Sequence, residues 1–320
     1  MTDRRPELIR CTDVGLLVVE GEQSRTFLQG QLTCDVQRLA EKALLPGACC
    51  TPQGRIVANF WISRNAARFS LVMPVSQLQP LQRHLEKYAP FFPSVTLSER
   101  YIERWSLVGD GGAEIINRLT GKSAPDQGQL TPWQTALLAA IPYTTAHFEL
   151  WLPAALRKKV LRVLGDDVLT VPAEREHLID IRAGVAWVTT ATQKMYTPSH
   201  LNWSAVGGVS FTKGCYTGQE IVARMHYLGK LKSRLYRFAL HDHLVPAVGA
   251  EICNKKGQFS GAVVAASRAG ADEIELLAVV KNSDVAAGEM AMMGSGEPLS
   301  VRSLPYDIPS KSAAVEEPTR

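Results

Sequence analysis

Cysteine is sparse in this chain, and long apolar runs are missing. Six cysteines among 320 residues are too few for a disulfide scaffold. They form no Cys-x-x-Cys pair and no Cys/His set at zinc spacing, so no metal site is expected. The longest apolar stretches, Ala136–Ile141 and Leu276–Val280, fall far short of the ~20 residues of a membrane span. No apolar stretch follows Arg4 and Arg5 either, so no secretory leader is expected, and the chain reads as cytoplasmic in a reducing compartment. Heptads are absent and glycine and proline are scattered, which excludes coiled-coil and collagen-like chains. No repeat of 20 to 50 residues is visible, which excludes solenoids and propellers. No Gly-x-Ser-x-Gly elbow occurs, so a serine-hydrolase triad has no support.

What is present is ordinary globular material. Apolar residues make up 46% of the chain and charged residues 21%, enough apolar surface to build a large core. The length suggests two domains, with a small third one in reserve. A net charge of +4 hints only faintly at an anionic partner.

The first ~230 residues mix helices and strands by hydrophobic periodicity. Strands are predicted at Arg55–Ile62, Arg68–Met73, Trp105–Gly109, Thr135–Ile141 and His147–Leu152. Helices are predicted at Val75–Tyr88, after Pro153 up to Gly165, and after Pro172 up to Ala183-Gly184. Gly109-Asp110-Gly111-Gly112 lacks the third glycine of a dinucleotide fingerprint and reads as a tight strand-to-helix turn. Glu174 and His177 lie three apart on a helix without a second such pair, so they read as a surface face. His241-Asp242-His243 reads as a polar turn. After Lys230 six short β-like runs follow: Arg234–Leu240, Glu251–Asn254, Gln258–Ala266, Glu273–Val280, Glu289–Met293 and Leu299–Leu304. With turn residues between them and no helix, they predict a small barrel or sandwich. The residues beyond, 306–320, read as a disordered tail.

The richest segment is Phe211 to Gly229. Thr217-Gly218-Gln219-Glu220 fits a capping box, with Glu220 reaching back to the chain. Ile221, Val222, Met225 and Leu228 follow at helical spacing, and Gly229 is the expected stop. Cys215 then stands two residues before a helix N-terminus, where the dipole and Lys213 both favour its thiolate. The competing reading is a small buried packing cysteine. Gly214 and Gly218 allow close backbone approach to an anion. From Lys213 to Arg237 six basic residues face one acidic residue, Glu220. The run suits a small anion or a polyglutamyl tail; for RNA, a solvated face guarded by Lys and Arg is slightly favoured over direct contact.

Lys213-Gly-Cys-Tyr-Thr-Gly-Gln-Glu220 resembles the signature of the YgfZ-type folate-binding proteins, paralogues of the glycine-cleavage T protein. Flanking blocks appear in the same order: Phe27–Asp35, Pro52–Arg55, Ile181–Gly184, Leu201-Asn202, Gly207–Phe211 and Leu304–Tyr306. The resemblance implies an α+β fold of three subdomains in a cloverleaf around a central channel, with a small C-terminal β-barrel. It suggests a folate-binding region over residues 1–232, made of two interwoven subdomains, and a barrel domain over 233–305. It implies bound tetrahydrofolate and a role with iron–sulfur client proteins, including tRNA-modifying enzymes. Cys215 is the functional thiol it points to, expected beside the folate channel and near its mouth, with Lys213 next to it. Arg182, Asn202, Tyr216, Gln219 and Glu220 are the expected folate contacts, and Val14 and Glu176 stand where some family members carry tryptophan.

The chain also departs from the T protein. An Asp-Asp pair there is Ala58-Asn59 here, and an amide cannot serve as a carboxylate base. A Glu before Ala-Gly is Arg182 here, which cannot accept hydrogen bonds from a pterin but can pair with a folate carboxylate. Aminomethyl transfer is therefore the second expectation, behind folate binding in iron–sulfur maintenance.

Overall fold

The computed structural model describes residues 5–144, 146–227 and 231–307. Leu228, Gly229 and Lys230, named above for the helix end and the basic run, lie outside the described residues, as does the expected tail from 308 onward.

The first two-thirds of the chain repeat one plan twice. The first pass runs β1 (Glu7–Glu20), α1 (Ser24–Gln29), β2 (Leu44–Cys50), β3 (Ile56–Asn65), β4 (Arg68–Pro74) and α2 (Leu78–Glu86). The second runs β5 (Thr96–Val108), α3 (Gly112–Thr120), β6 (Leu130–Trp133), β7 (Ala136–Ala140), β8 (His147–Leu152), α4 (Arg157–Leu164) and β9 (Leu169–Val171). Both passes share one sheet, ordered β2-β3-β4-β1-β5-β8-β7-β6, with β9 beside β1. The long antiparallel pair β1–β5 is its spine.

Each half covers one sheet face with its helices. Leu78, Leu81 and Leu85 of α2 fall on one helical stripe and pack with Phe27, Phe60 and Phe69. Ile115, Ile116 and Leu119 of α3 and Val160 and Leu164 of α4 pack with Trp105 and Leu150 in a second core. The turn Gly109–Gly112 is the tight strand-to-helix connection expected, with Gly111 at φ +85° as N-cap of α3.

β1 serves both halves at once. Glu7–Ile9 pair with β9, whereas Val14–Glu20 pair with β4. Between Ile9 and Val14 that edge has no strand partner among the described residues, and a bulge between Cys11 and Val14 shifts the register against β5. Bulges of this kind re-aim side chains.

After β9, α5 (Glu174–Ala183) ends at Gly184, held at φ +69°. A Cβ there would lie 2.7 Å from the Tyr306 ring, and the Tyr306 hydroxyl donates to the Gly184 carbonyl at 2.8 Å. Tyr306, first residue of the expected tail, is thus anchored. Irregular chain then leads to α6 (Gln219–Tyr227).

The last third closes into a barrel of β10 (Ser233–His241), β11 (Glu251–Cys253), β12 (Phe259–Arg268), β13 (Glu273–Lys281), β14 (Met290–Met292) and β15 (Pro298–Arg302), in the order β10-β13-β12-β11-β14-β15. One short helix, α7 (Asn282–Ala287), interrupts the run of strands. The fold is thus the α+β arrangement with a C-terminal barrel that the resemblance implied.

His200 ties the irregular segment to the barrel. Its backbone carbonyl accepts from Leu235 N–H, and its Nδ1 lies 2.7 Å from Thr197 Oγ1. Burial, with Arg55 and Arg234 nearby, pulls its pKa from 6.5 down to about 4. Between those values the unfolded chain binds a proton that the folded chain refuses, so stability falls as pH drops from about 6.5 to about 4. The expected loss is about 3 kcal/mol across that window. Urea titrations of the wild type and His200→Asn at pH 7 and pH 4.5 check this; an equally steep acid loss in the variant would refute it.

Candidate functional site

A cavity of about 350 Å³ opens where the sheet, α5 and the barrel meet. Its position follows from the gap along β1: Asp13 and Val14 at the bulge form one side, with Pro74 and Val75 at the end of β4 beside them. A second bulge, between Val263 and Ala265 of β12, presents Val264, Ala265 and Ala266 in succession. His177 and Asp180 of α5 complete another side.

The remaining wall is extended chain after Gly184. Val185, Trp187 and Thr189 line the cavity with strand-like alternation, while Ala186 and Val188 are buried in the core behind. Asn59 holds this segment in place. Its Nδ2 donates to the Ala186 carbonyl and its Oδ1 accepts from Val188 N–H, both at 2.9 Å, as a neighbouring strand would. Asn59 is fully buried, and its backbone N–H donates to Gln77 Oε1. A carboxylate here could not donate to Ala186, so the amide that departs from the T-protein pattern has a structural task.

The Trp187 indole stands between Trp61 and Trp203, with ring centroids 6.2 and 5.8 Å away in edge-on contact. Its Nε1–H donates to Asp180 Oδ2 at 2.9 Å.

Behind this surface lies a buried group of charges. Arg104 of β5 faces Glu149 of β8 at 3.9 Å, and His147 Nε2 lies 3.5 Å from Glu176 Oε1 and 3.9 Å from Glu149 Oε1. Burial pushes the Glu149 carboxyl up and the Asp180 carboxyl well up, against the opposing pull of Arg104. At Glu176 burial works the same way, but Arg104 and His147 outweigh it and hold the group below its ordinary range. The His147, Glu149 and Glu176 ligand atoms lie within 4.8 Å of one another, close enough for a metal ion. The Arg104 guanidinium beside them supplies positive charge of its own, so the set reads as an ionic network.

The signature loop forms a separate feature. Lys213 and Tyr216 are buried, while Gly214 and Cys215 between them are exposed. Of the six cysteines Cys215 alone is exposed; Cys253 is half-buried and the other four are buried. The Lys213 ammonium donates to the carbonyl oxygens of Gln29, Leu32 and Cys34 at 2.8, 2.5 and 2.9 Å and sits 4.9 Å from the Tyr216 ring centroid. Burial lowers its pKa to about 8. Its three donors are therefore spent on the turn after α1, not on the Cys215 thiol as expected.

The capping box also does not form as expected. Gly218, at φ +86°, sits so close to the Thr51 carbonyl that a Cβ would meet its oxygen at 2.4 Å. Thr217 is turned away, and its hydroxyl donates to Gln31 Oε1 at 3.2 Å. Gln219 Oε1 instead accepts from Tyr216 N–H at 3.1 Å, and Glu220 is exposed.

The expected folate contacts are dispersed. Val14 lines the cavity, and Glu176 is fully buried in the charge network behind it. Arg182, Asn202, Tyr216, Gln219 and Glu220 do not line it. Arg182 turns to the barrel and donates from Nε and Nη2 to Glu275 Oε1 at 3.0 and 2.8 Å. Asn202 is buried, its Nδ2 donating to the Leu235 carbonyl. The basic run is dispersed as well: Lys213 points inward and Arg237 pairs with Glu275, leaving Arg224 and Lys232 exposed.

Arg104, Asp180 and Trp187 were not singled out from the sequence. A usable signal existed: Glu149 stands in the fully buried strand His147–Leu152, and a charge on a core face demands a partner.

No family model matches the chain. It is similar to the tRNA-modifying protein YgfZ of Pectobacterium carotovorum, 29% identical over 310 residues, which cover 95% of this chain and 92% of that one. The protein of the same name from Colwellia psychrerythraea is 30% identical over 232 residues, 72% of this chain and 70% of its own length. Among solved structures, glycine cleavage system aminomethyltransferase T from Bartonella henselae matches with a TM-score of 0.76 at 22% identity, over 96% of this chain and 88% of that one. That likeness establishes the fold and says nothing of the reaction. With the relatives aligned over most of its length and the fold in agreement, the chain belongs to the YgfZ family.

Proposed function

We propose that this protein binds tetrahydrofolate in the junction cavity and serves iron–sulfur client proteins, and through them tRNA modification, with Cys215 as its functional thiol. The observation that carries the reading is the cavity itself: about 350 Å³, walled by Val14, Val185, Val264 and the Trp187 ring, with a few charged groups, Asp13, Arg104, His177 and Asp180, among them. An apolar slot with a few convergent polar groups suits a flat heteroaromatic ring. The names of the relatives support the link to tRNA modification. When bound, a reduced folate supplies a carrier for one-carbon units.

Cys215 fits an encounter role. Buried Lys213 and Tyr216 brace the loop on both sides, and the exposed sulfur between them can meet a cluster, a persulfide or a reactive carbon species. Because the side chain is exposed, Cys215→Ala should change stability by less than about 0.5 kcal/mol. The same variant should fail to restore function in cells lacking the native gene; full complementation would remove Cys215 from the reading. Calorimetric titration of the full chain with tetrahydrofolate tests the cavity, and absence of binding would overturn it.

Aminomethyl transfer is the second reading. It is disfavoured by Asn59, whose amide is committed on both sides to the Ala186–Val188 backbone. Steady turnover of an aminomethyl donor with tetrahydrofolate would reverse that order.

A further inference from the structure

Two groups on the cavity wall are incompletely used by the protein. Asp180 gives Oδ2 to the Trp187 N–H, and Oδ1 has no hydrogen bond among the described residues. Arg104 is only 9% exposed, yet its Nε has no hydrogen-bond partner among the described residues, and the nearest ion-pair oxygen, on Glu149, lies 3.9 Å from Nη1, beyond hydrogen-bond reach. A buried guanidinium with unused donors is costly unless something satisfies it. Around this pair the lining is mostly apolar, with Asp13, Ser76, His177 and Thr189 as the other polar residues, and the Trp187 ring forms one wall. A donor fork beside an acceptor oxygen matches a flat ring that carries a carbonyl and an amine along one edge.

We propose that Arg104 and Asp180 together read the 2-amino-4-oxo edge of a pterin ring, Asp180 Oδ1 accepting from the 2-amino group and Arg104 donating to the 4-oxo oxygen. This rests on the folate reading and assigns its specificity end. Burial pushes the Asp180 carboxyl well up against the pull of Arg104, and the ring's N–H donors draw it back toward the ionised form. Asp180 is thus a specificity-determining residue. Arg182, which replaces the T protein's glutamate, is occupied by Glu275.

The test compares two rings that differ at one substituent. 6-Methylpterin carries the 2-amino donor, and 6-methyllumazine carries an oxygen acceptor there. Calorimetry and tryptophan fluorescence on the full chain should show the wild type preferring the pterin by at least about tenfold. In Asp180→Asn the amide oxygen can keep the Trp187 N–H while its NH2 faces the ring, so the preference should vanish or invert. Thermal melts establish that the variant is folded. Tetrahydrofolate binding without ring discrimination, or equal discrimination in Asp180→Asn, would overturn the assignment and leave the folate reading standing. Absence of binding to tetrahydrofolate and to both rings would remove the folate reading and this inference with it. Guanosine carries the same edge on a nucleobase; tighter binding of guanosine than of tetrahydrofolate would overturn both.

Discussion

Lys213→Met should lower the melting temperature by about 4–5 °C while leaving Cys215 in place. The reason is the carbonyl cage. Gln29, Leu32 and Cys34 direct three carbonyl oxygens at one ammonium group, and Lys213 is 7% exposed. Methionine fills much of the same volume but donates nothing, so buried acceptors are left without partners, at a cost of about 3 kcal/mol in sum. The damage should be local first. The turn after α1 and the signature loop would lose their shared anchor, and amide exchange should accelerate at residues 30–34 and 211–218 before the barrel is affected. An unchanged melting temperature would show that water replaces the ammonium without cost, and that the lysine's importance lies elsewhere.

The second large effect is expected at Glu275. This carboxylate on β13 is 4% exposed and receives Arg182 from α5 on Oε1 and Arg237 from β10 on Oε2. Burial pushes its pKa up, and the hydrogen bonds from the two arginines outweigh burial and hold it below the ordinary range. Glu275→Ala leaves two guanidinium groups facing each other without an acceptor. The Arg182 side chain is 44% exposed, so solvent screens part of the penalty, and a net loss of about 3 kcal/mol is expected. Glu275→Gln retains one acceptor oxygen and should recover about half of that loss. Because the Arg182–Glu275 contact also fixes α5 against the barrel, folate binding should weaken in Glu275→Ala before the barrel itself unfolds. Equal urea midpoints for wild type and Glu275→Ala would contradict this account.

Legibility in the sequence followed the regularity of each element. The six barrel strands were readable because each is a short apolar or alternating run bounded by turn residues. The helices α2, α4 and α5 were readable from their apolar stripes and from Pro153 and Pro172. The spine was not. β1 carries Arg10, Thr12 and Asp13 at its bulge, and β5 opens with Ser98, Glu99 and Arg100, so neither shows a clean two-residue period. The duplicated plan also escaped notice, because it repeats topology and not residues. At the site, the conspicuous motif of residues 213–220 marked the exposed thiol, but the cavity lies elsewhere. Its polar wall draws Arg104 from β5 and Asp180 from α5, with Glu149 from β8 behind, and no local pattern links positions so far apart.

The divided edge of β1 bears on how the chain is made. During synthesis β1 leaves the ribosome before the strands it pairs with, and its later residues, from Val14, find β4 once residue 74 has emerged. Its earlier residues, Glu7–Ile9, must wait for Leu169–Val171. A fragment that stops short of residue 169 therefore leaves the Glu7–Ile9 edge without its parallel neighbour. The two halves are stitched through one common thread, and cutting between them strips β1 of its pairing with β5 and β9.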